Sequence, residues 1–121
     1  MGWLLATARS AQVWAAIDPN QVRPWLGAGA GGLSGPAVRP IALAQVRAVA
    51  AAVDIPVVGM GGIVDGESAL DFILAGAQVV AVGTESFRDP AAGNAVHRGL
   101  SAALEQRGFA SLAEAQASTL T

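Results

Sequence analysis

Two glycine turns carry the chemistry of this sequence. The run Ile55-Pro56-Val57-Val58-Gly59-Met60 goes straight into Gly61-Gly62, and Gln78-Val79-Val80-Ala81-Val82 goes into Gly83-Thr84. Short apolar, β-branched runs bounded by Gly and Pro read as strands buried on both faces. Glycine after such a strand lets the backbone approach a ligand closely, with N–H groups able to face an anion. A helix starting just beyond adds the positive end of its dipole, and Thr84 adds a hydroxyl. A third glycine-rich stretch, Gly31-Gly32-Leu33-Ser34-Gly35-Pro36, follows Trp25-Leu26. Its apolar members are wrong for a solvated linker, so it reads as a structured site loop. The plainer alternative for each turn is a tight strand-to-helix connection that binds nothing. His97, the only histidine, falls beside an apolar helical stripe without a partner motif and reads as a solvated helix residue.

The elements that must position these turns follow from hydrophobic period. Pro40 stands where a helix can begin without losing a hydrogen bond. Leu43, Val46, Ala50 and Val53 recur at intervals of three and four, predicting an amphipathic helix over Ile41–Val53. Asp65 is a candidate N-cap, Glu67 suits the first turn, and Ala69, Leu70, Phe72, Ile73 and Leu74 supply a buried face up to Ala75. Gly76 suits the left-handed position that ends many helices. A last long helix is predicted over Ala91–Arg107, with Val96, Leu100 and Leu104 inward. The tail from Gly108 to Thr121 reads as one more helical turn without visible chemistry. Asp18–Pro40 reads as a long loop, and residues 1–14 read as either a strand or a helix start.

Strand, helix, strand in that order requires a parallel pair. The fold class is therefore α/β, and both glycine turns close strands at their carboxyl ends. In a (β/α)8 TIM barrel the loops after the seventh and eighth strands commonly hold a phosphate together. A doubly wound sheet would instead carry Gly-x-Gly-x-x-Gly after its first strand, and that pattern is missing. A whole barrel takes about 250 residues, so 121 residues hold only its carboxy-terminal part. Residues 1–15 are then an unassigned or displaced start, 16–107 the barrel part and 108–121 a tail. Both turns end strands, so replacing Gly62 by valine should harm binding more than folding.

Composition narrows the function. Charged residues make up 13% and hydrophobic residues 53%, against about 25% charged in average usage. Such a surface is short of charge and suits contact with further protein. The net charge is −2 with no basic stripe, which argues against a nucleic-acid face. Every basic residue is arginine, and cysteine is absent; disulfides, iron–sulfur ligation and a thiol nucleophile are thereby excluded within this chain. The apolar opening Trp3-Leu4-Leu5-Ala6 is too short to span a membrane and is not preceded by a basic residue. A soluble, cytoplasmic protein is expected.

The stretch Gly31-Gly32-Leu33-Ser34-Gly35-Pro36-Ala37-Val38-Arg39-Pro40-Ile41-Ala42-Leu43, followed by Ile55 to Ile63 and by Val82-Gly83-Thr84, resembles the carboxy-terminal part of class 1 dihydroorotate dehydrogenase. The resemblance runs from about Ala16 to Leu104, roughly the last third of a family member. The form of the two turns is similar to that of the NAD-linked type 1B, and dihydropyrimidine dehydrogenase is a near relative with a similar barrel domain. The resemblance implies an FMN-dependent oxidation of dihydroorotate to orotate in pyrimidine synthesis, with an iron–sulfur electron-transfer subunit as partner. It places Gly35 against the flavin and Gly61, Gly62, Gly83 and Thr84 around the FMN phosphate.

Four positions depart from the family pattern. Ser10 and Ala11 stand where members carry an Asn-Thr pair that holds the pyrimidine, and Trp14 and Ala15 replace the usual Gly-Met. The family's catalytic base and flavin-side lysine belong to a part of the barrel outside this sequence, so no catalytic residue is assigned here. Three readings follow: a piece of a dihydroorotate dehydrogenase inactive alone, a non-catalytic flavin- or phosphate-binding module, or a structural barrel remnant docking on a missing part or a second copy.

Overall fold

The computed structural model describes residues 4–7, 11–14 and 16–118, the first two segments through their backbone alone. Their order is β1 (Leu4–Thr7), β2 (Ala11–Trp14), β3 (Ile17–Asp18), β4 (Arg23–Pro24), β5 (Ala30–Leu33), a 3-10 turn (Pro36–Val38), α1 (Arg39–Ala52), β6 (Val57–Met60), α2 (Gly66–Leu74), β7 (Val79–Ala81), α3 (Glu85–Arg88), α4 (Ala92–Gln106) and α5 (Leu112–Ala117). β1, β6 and β7 form one parallel sheet in that spatial order. Leu4 pairs with Val57 and Thr7 with Met60, while Val58 pairs with Val79 and Met60 with Ala81. Each new parallel strand is thus added beside the previous one, always on the same side.

The predicted helices form where the apolar period placed them. Pro40 occupies the first turn of α1, and Ala42 and Val46 are its fully buried positions. Leu43, Val49, Ala50 and Val53 pack more shallowly against the same cluster. Asp65 caps α2: its carboxylate accepts from Ser68 N at 2.8 Å, and the Ser68 hydroxyl accepts from Asp65 N at 3.0 Å. This reciprocal box satisfies two donors that a helix start otherwise leaves open. Gly76 has φ of +115° just past the end of α2. In α4, Ala92, Val96 and Ala103 are buried, with Leu100 and Leu104 partly so. The tail forms α5, capped by Ser111, whose hydroxyl accepts from Glu114 N.

The core has two parts. One lies between the sheet, α1 and α2, and centres on Val46, Val57, Ala69 and Phe72. The other joins α2 to α4 and α5 through Leu70, Ile73, Ala103 and Ala115. Gly66 and Gly99 bring α2 and α4 together backbone to backbone, with Gly66 N 3.1 Å from the place a Cβ on Gly99 would take. Arg107 Nη2 ties the outer edge of that crossing to Glu67 at 2.7 Å and to Asp71 at 3.2 Å.

Two expectations change. The first is that β6 is buried on both faces. Val57 and Gly59 are buried towards the helices, whereas Val58 and Met60 on the other face are only partly covered. Among the described residues no layer lies over that second face. The second is that Asp18–Pro40 is a loop. This stretch belongs to a nested pair of hairpins, with β2 antiparallel to β5 outside and β3 antiparallel to β4 inside. Asp18 closes the inner turn by accepting from Asn20 N at 2.8 Å. Residues 4–7 and 11–14, left open between strand and helix, are strands.

Candidate functional site

The carboxyl ends of β6 and β7 open on one side of the sheet. The ladder ends with Met60 opposite Ala81, and the glycine turns follow, Gly61-Gly62 after β6 and Gly83-Thr84 after β7. Both turns line one cavity. The segment after β5 reaches them from the other direction: Gly35 O lies only 2.6 Å from where a Cβ on Gly62 would sit. Together these three segments enclose a cavity of about 530 Å³, within the 300–1,000 Å³ usual for small-molecule sites. Ser34, Gly35 and Pro36 line it from the loop, Met60 to Val64 from the first turn, and Gly83, Thr84, Glu85 and Arg88 from the second. All five residues singled out in the sequence, Gly35, Gly61, Gly62, Gly83 and Thr84, lie on this one wall.

The glycines are there for different reasons. Gly61 and Gly62 have φ of +129° and +72°, a region where side chains are strained. A Cβ on Gly61 would stand 2.7 Å from Ala42 Cβ, and one on Gly62 would meet Arg39 Cβ at 3.0 Å as well as Gly35 O. These two are required by the packing of the turn under α1. The expectation that valine at Gly62 would harm binding more than folding assumed a turn free of packing. The substitution in fact collides with the backbone of Gly35 and Arg39, so the fold itself is affected. Gly35, at φ +86°, has nothing within 4 Å of a built Cβ. At Gly83 the φ is ordinary and the nearest atom is Met60 Cε at 3.9 Å. Neither packing nor backbone angle asks for glycine there, and a side chain at Gly83 would take space at the cavity wall.

The Thr84 hydroxyl makes no cap bond to α3. Arg88 Nε donates to Glu85 Oε1 at 2.7 Å, and its Nη2 reaches the same oxygen. Arg88 is held more basic than a free guanidinium, chiefly by that hydrogen bond. Sequence reasoning passed over this pair, although an acid and a base three apart directly after Gly-Thr is a readable signal. His97 is exposed on α4. Ser10 and Ala15, two of the departures noted above, lie outside the described residues.

The family model described as Dihydroorotate dehydrogenase matches residues 6–104. The chain belongs to the dihydroorotate dehydrogenase family. That match begins ten residues before Ala16, where the resemblance read from the sequence begins. The dihydroorotate dehydrogenase B (NAD(+)) catalytic subunit of Geotalea uraniireducens is 48% identical over 99 residues, covering 82% of this chain and 32% of that protein. The catalytic subunit of the same name from Trichlorobacter lovleyi is 50% identical over 97 residues, 80% of this chain and 32% of its own length. A Solibacter usitatus protein provisionally named dihydroorotate dehydrogenase A (fumarate) is 53% identical over 94 residues, 78% of this chain and 31% of its length. The chain thus spans about a third of the length of the relatives it matches. No helix among the described residues is long and apolar enough to cross a membrane.

Proposed function

We propose that this chain supplies the FMN phosphate site of a dihydroorotate dehydrogenase, as the carboxy-terminal part of a (β/α)8 barrel. The observation that carries the reading is Gly83. In a family member, just past the end of a parallel strand and on the same cavity wall as a second glycine turn, it lacks a side chain where only an open cavity would feel one. Backbone N–H groups of Gly61, Gly62, Gly83 and Thr84 would face the phosphate, the Thr84 hydroxyl would add a donor, and Gly35 would let the flavin lie against the loop. When bound, FMN would supply the hydride acceptor for oxidation of dihydroorotate to orotate in pyrimidine synthesis. The chain's own contribution is to bind, orient and keep that wall open. Catalysis would belong to the whole barrel, since the resemblance puts the family's catalytic base and flavin-side lysine outside this sequence, which contains no lysine or cysteine to replace them. The barrel would be cytoplasmic. An iron–sulfur electron-transfer subunit is the proposed partner, in line with the name "catalytic subunit" of the NAD(+)-linked relatives.

The test is Gly83→Val in the complete protein that carries this chain, followed by flavin content and dihydroorotate turnover. FMN affinity should fall about tenfold to a hundredfold, the scale of one lost contact to a charged oxygen, with unchanged melting. Full flavin occupancy in that variant would sink the reading. Tight flavin binding in the unsubstituted protein without turnover would favour the non-catalytic module.

A further inference from the structure

Glu85 and Arg88 are the two charged side chains on the cavity wall, and the function proposed above uses neither. Their burial is unequal: the Glu85 side chain keeps 10% of its surface and that of Arg88 keeps 76%. The carboxylate is thus held against the wall while the cation stands on the open side. A guanidinium carries five N–H donors. Two of them meet Glu85 Oε1, which leaves three to meet an incoming acceptor. As a pair the two side chains present no net charge. A phosphate monoester arriving beside them brings about −1.5 to −2 charges and offers the guanidinium a fork of charged oxygens. The Arg88 end of the pair is open to solvent, where an ion pair holds a long side chain weakly, so the phosphate can displace Glu85 as the partner of Arg88.

We propose that Arg88 selects the phosphorylated form of the ligand, with Glu85 as its resident counter-ion until a phosphate takes that place. The inference rests on the reading that a flavin phosphate enters this cavity. It predicts opposite signs for the two side chains. Losing Arg88 removes attraction for the phosphate. Losing the Glu85 charge removes repulsion, and the weak hold on Arg88 lost with it is the smaller effect.

The experiment titrates the flavin-stripped complete protein with FMN and with riboflavin, which lacks the phosphate, following flavin fluorescence. Arg88→Gln should weaken FMN about tenfold to a hundredfold, the effect of one charge-assisted contact, and leave riboflavin unchanged. Arg88→Lys keeps the charge without the fork and should fall between. Glu85→Gln should tighten FMN without affecting riboflavin. Arg88 variants that bind FMN normally, or that lose FMN and riboflavin equally, would overturn the inference while leaving the flavin site in place. Weaker FMN binding by Glu85→Gln would overturn it too. Failure of the unsubstituted protein to bind either flavin would overturn the flavin-site reading and this inference with it.

Discussion

Gly62 and Gly83 look alike in the sequence, each a glycine just past an apolar strand, and their neighbours give them different duties. A methyl group on Gly62 would stand 2.6 Å from Gly35 O at a φ of +72°, so Gly62→Ala should cost about 1–3 kcal/mol in denaturant unfolding. Gly83→Ala meets no atom closer than 3.9 Å and should stay within about 0.5 kcal/mol of the parent. The chain positions of both were legible, but not which one the fold itself requires, because that depends on contacts with Gly35 and Arg39 from another segment. Asp65 was fully legible, since a cap is a local device. Removing it by Asp65→Ala should cost about 1 kcal/mol. Its carboxyl is held below the ordinary value of 3.8, first by the Ser68 hydroxyl and then by the Ser68 N–H. A depressed folded value means the contribution is complete above the unfolded value and is lost as pH falls through the folded one. The stability gap between parent and variant should therefore be flat from neutral pH to about 5 and shrink below about 4. A gap that persists undiminished in acid would assign the cap to something other than the ionised carboxylate.

At the level of elements, two of the contacts between α2 and the α4 region differ in weight. The backbone approach of Gly66 to Gly99 leaves no room for a Cβ on Gly66, which would coincide with the Gly99 carbonyl group. Gly66→Ala must part the helices, with an expected loss of about 1–3 kcal/mol. Arg107, by contrast, pairs with Glu67 and Asp71 across an exposed edge. Its guanidinium is made more basic first by the Glu67 hydrogen bond, yet solvent screens such pairs. Arg107→Ala should cost below about 1 kcal/mol, and less in high salt. Thermal melts of both variants at two salt concentrations check the ranking. Long helices were readable because their period repeats three or four times. The hairpins were not: β3 and β4 have two residues each, and β5 is Ala-Gly-Gly-Leu, without the alternation that marks a strand. α3 was missed because four residues give a period nothing to repeat.

For the whole molecule, the described sheet has β1 on one edge and β7 on the other, and Val79 on β7 is exposed. Unpaired strand edges recruit partners, and a chain with 13% charged residues has little repulsion to oppose them. Phe87 is 93% exposed and Val22 83%, adding apolar surface outside the sheet. The isolated chain should self-associate at micromolar concentration. Sedimentation showing a stable monomer with a sharp, reversible melt would count against that. The parallel pairing of β6 with β7 was legible through the βαβ rule, but the place of β1 was not. Nor was the lack of cover, among the described residues, on the Val58 and Met60 face, because an apolar run reads the same whether or not its partner layer is present. Gln78 gives this arrangement a further property. Its Oε1 accepts from Val57 N at 2.6 Å and its own N donates to Val57 O at 2.9 Å, so one residue clasps the amino ends of β6 and β7. The clasp fixes the phase between the strands, and the two glycine turns that line the cavity follow the opposite ends of those same strands. Shortening the link around Gly76 to Gln78 by one residue would slide β7 by about 3.3 Å and turn its side chains to the other face. The cavity is thus gauged from the far side of the sheet, and a change of length there would be felt as a ligand site out of step with itself.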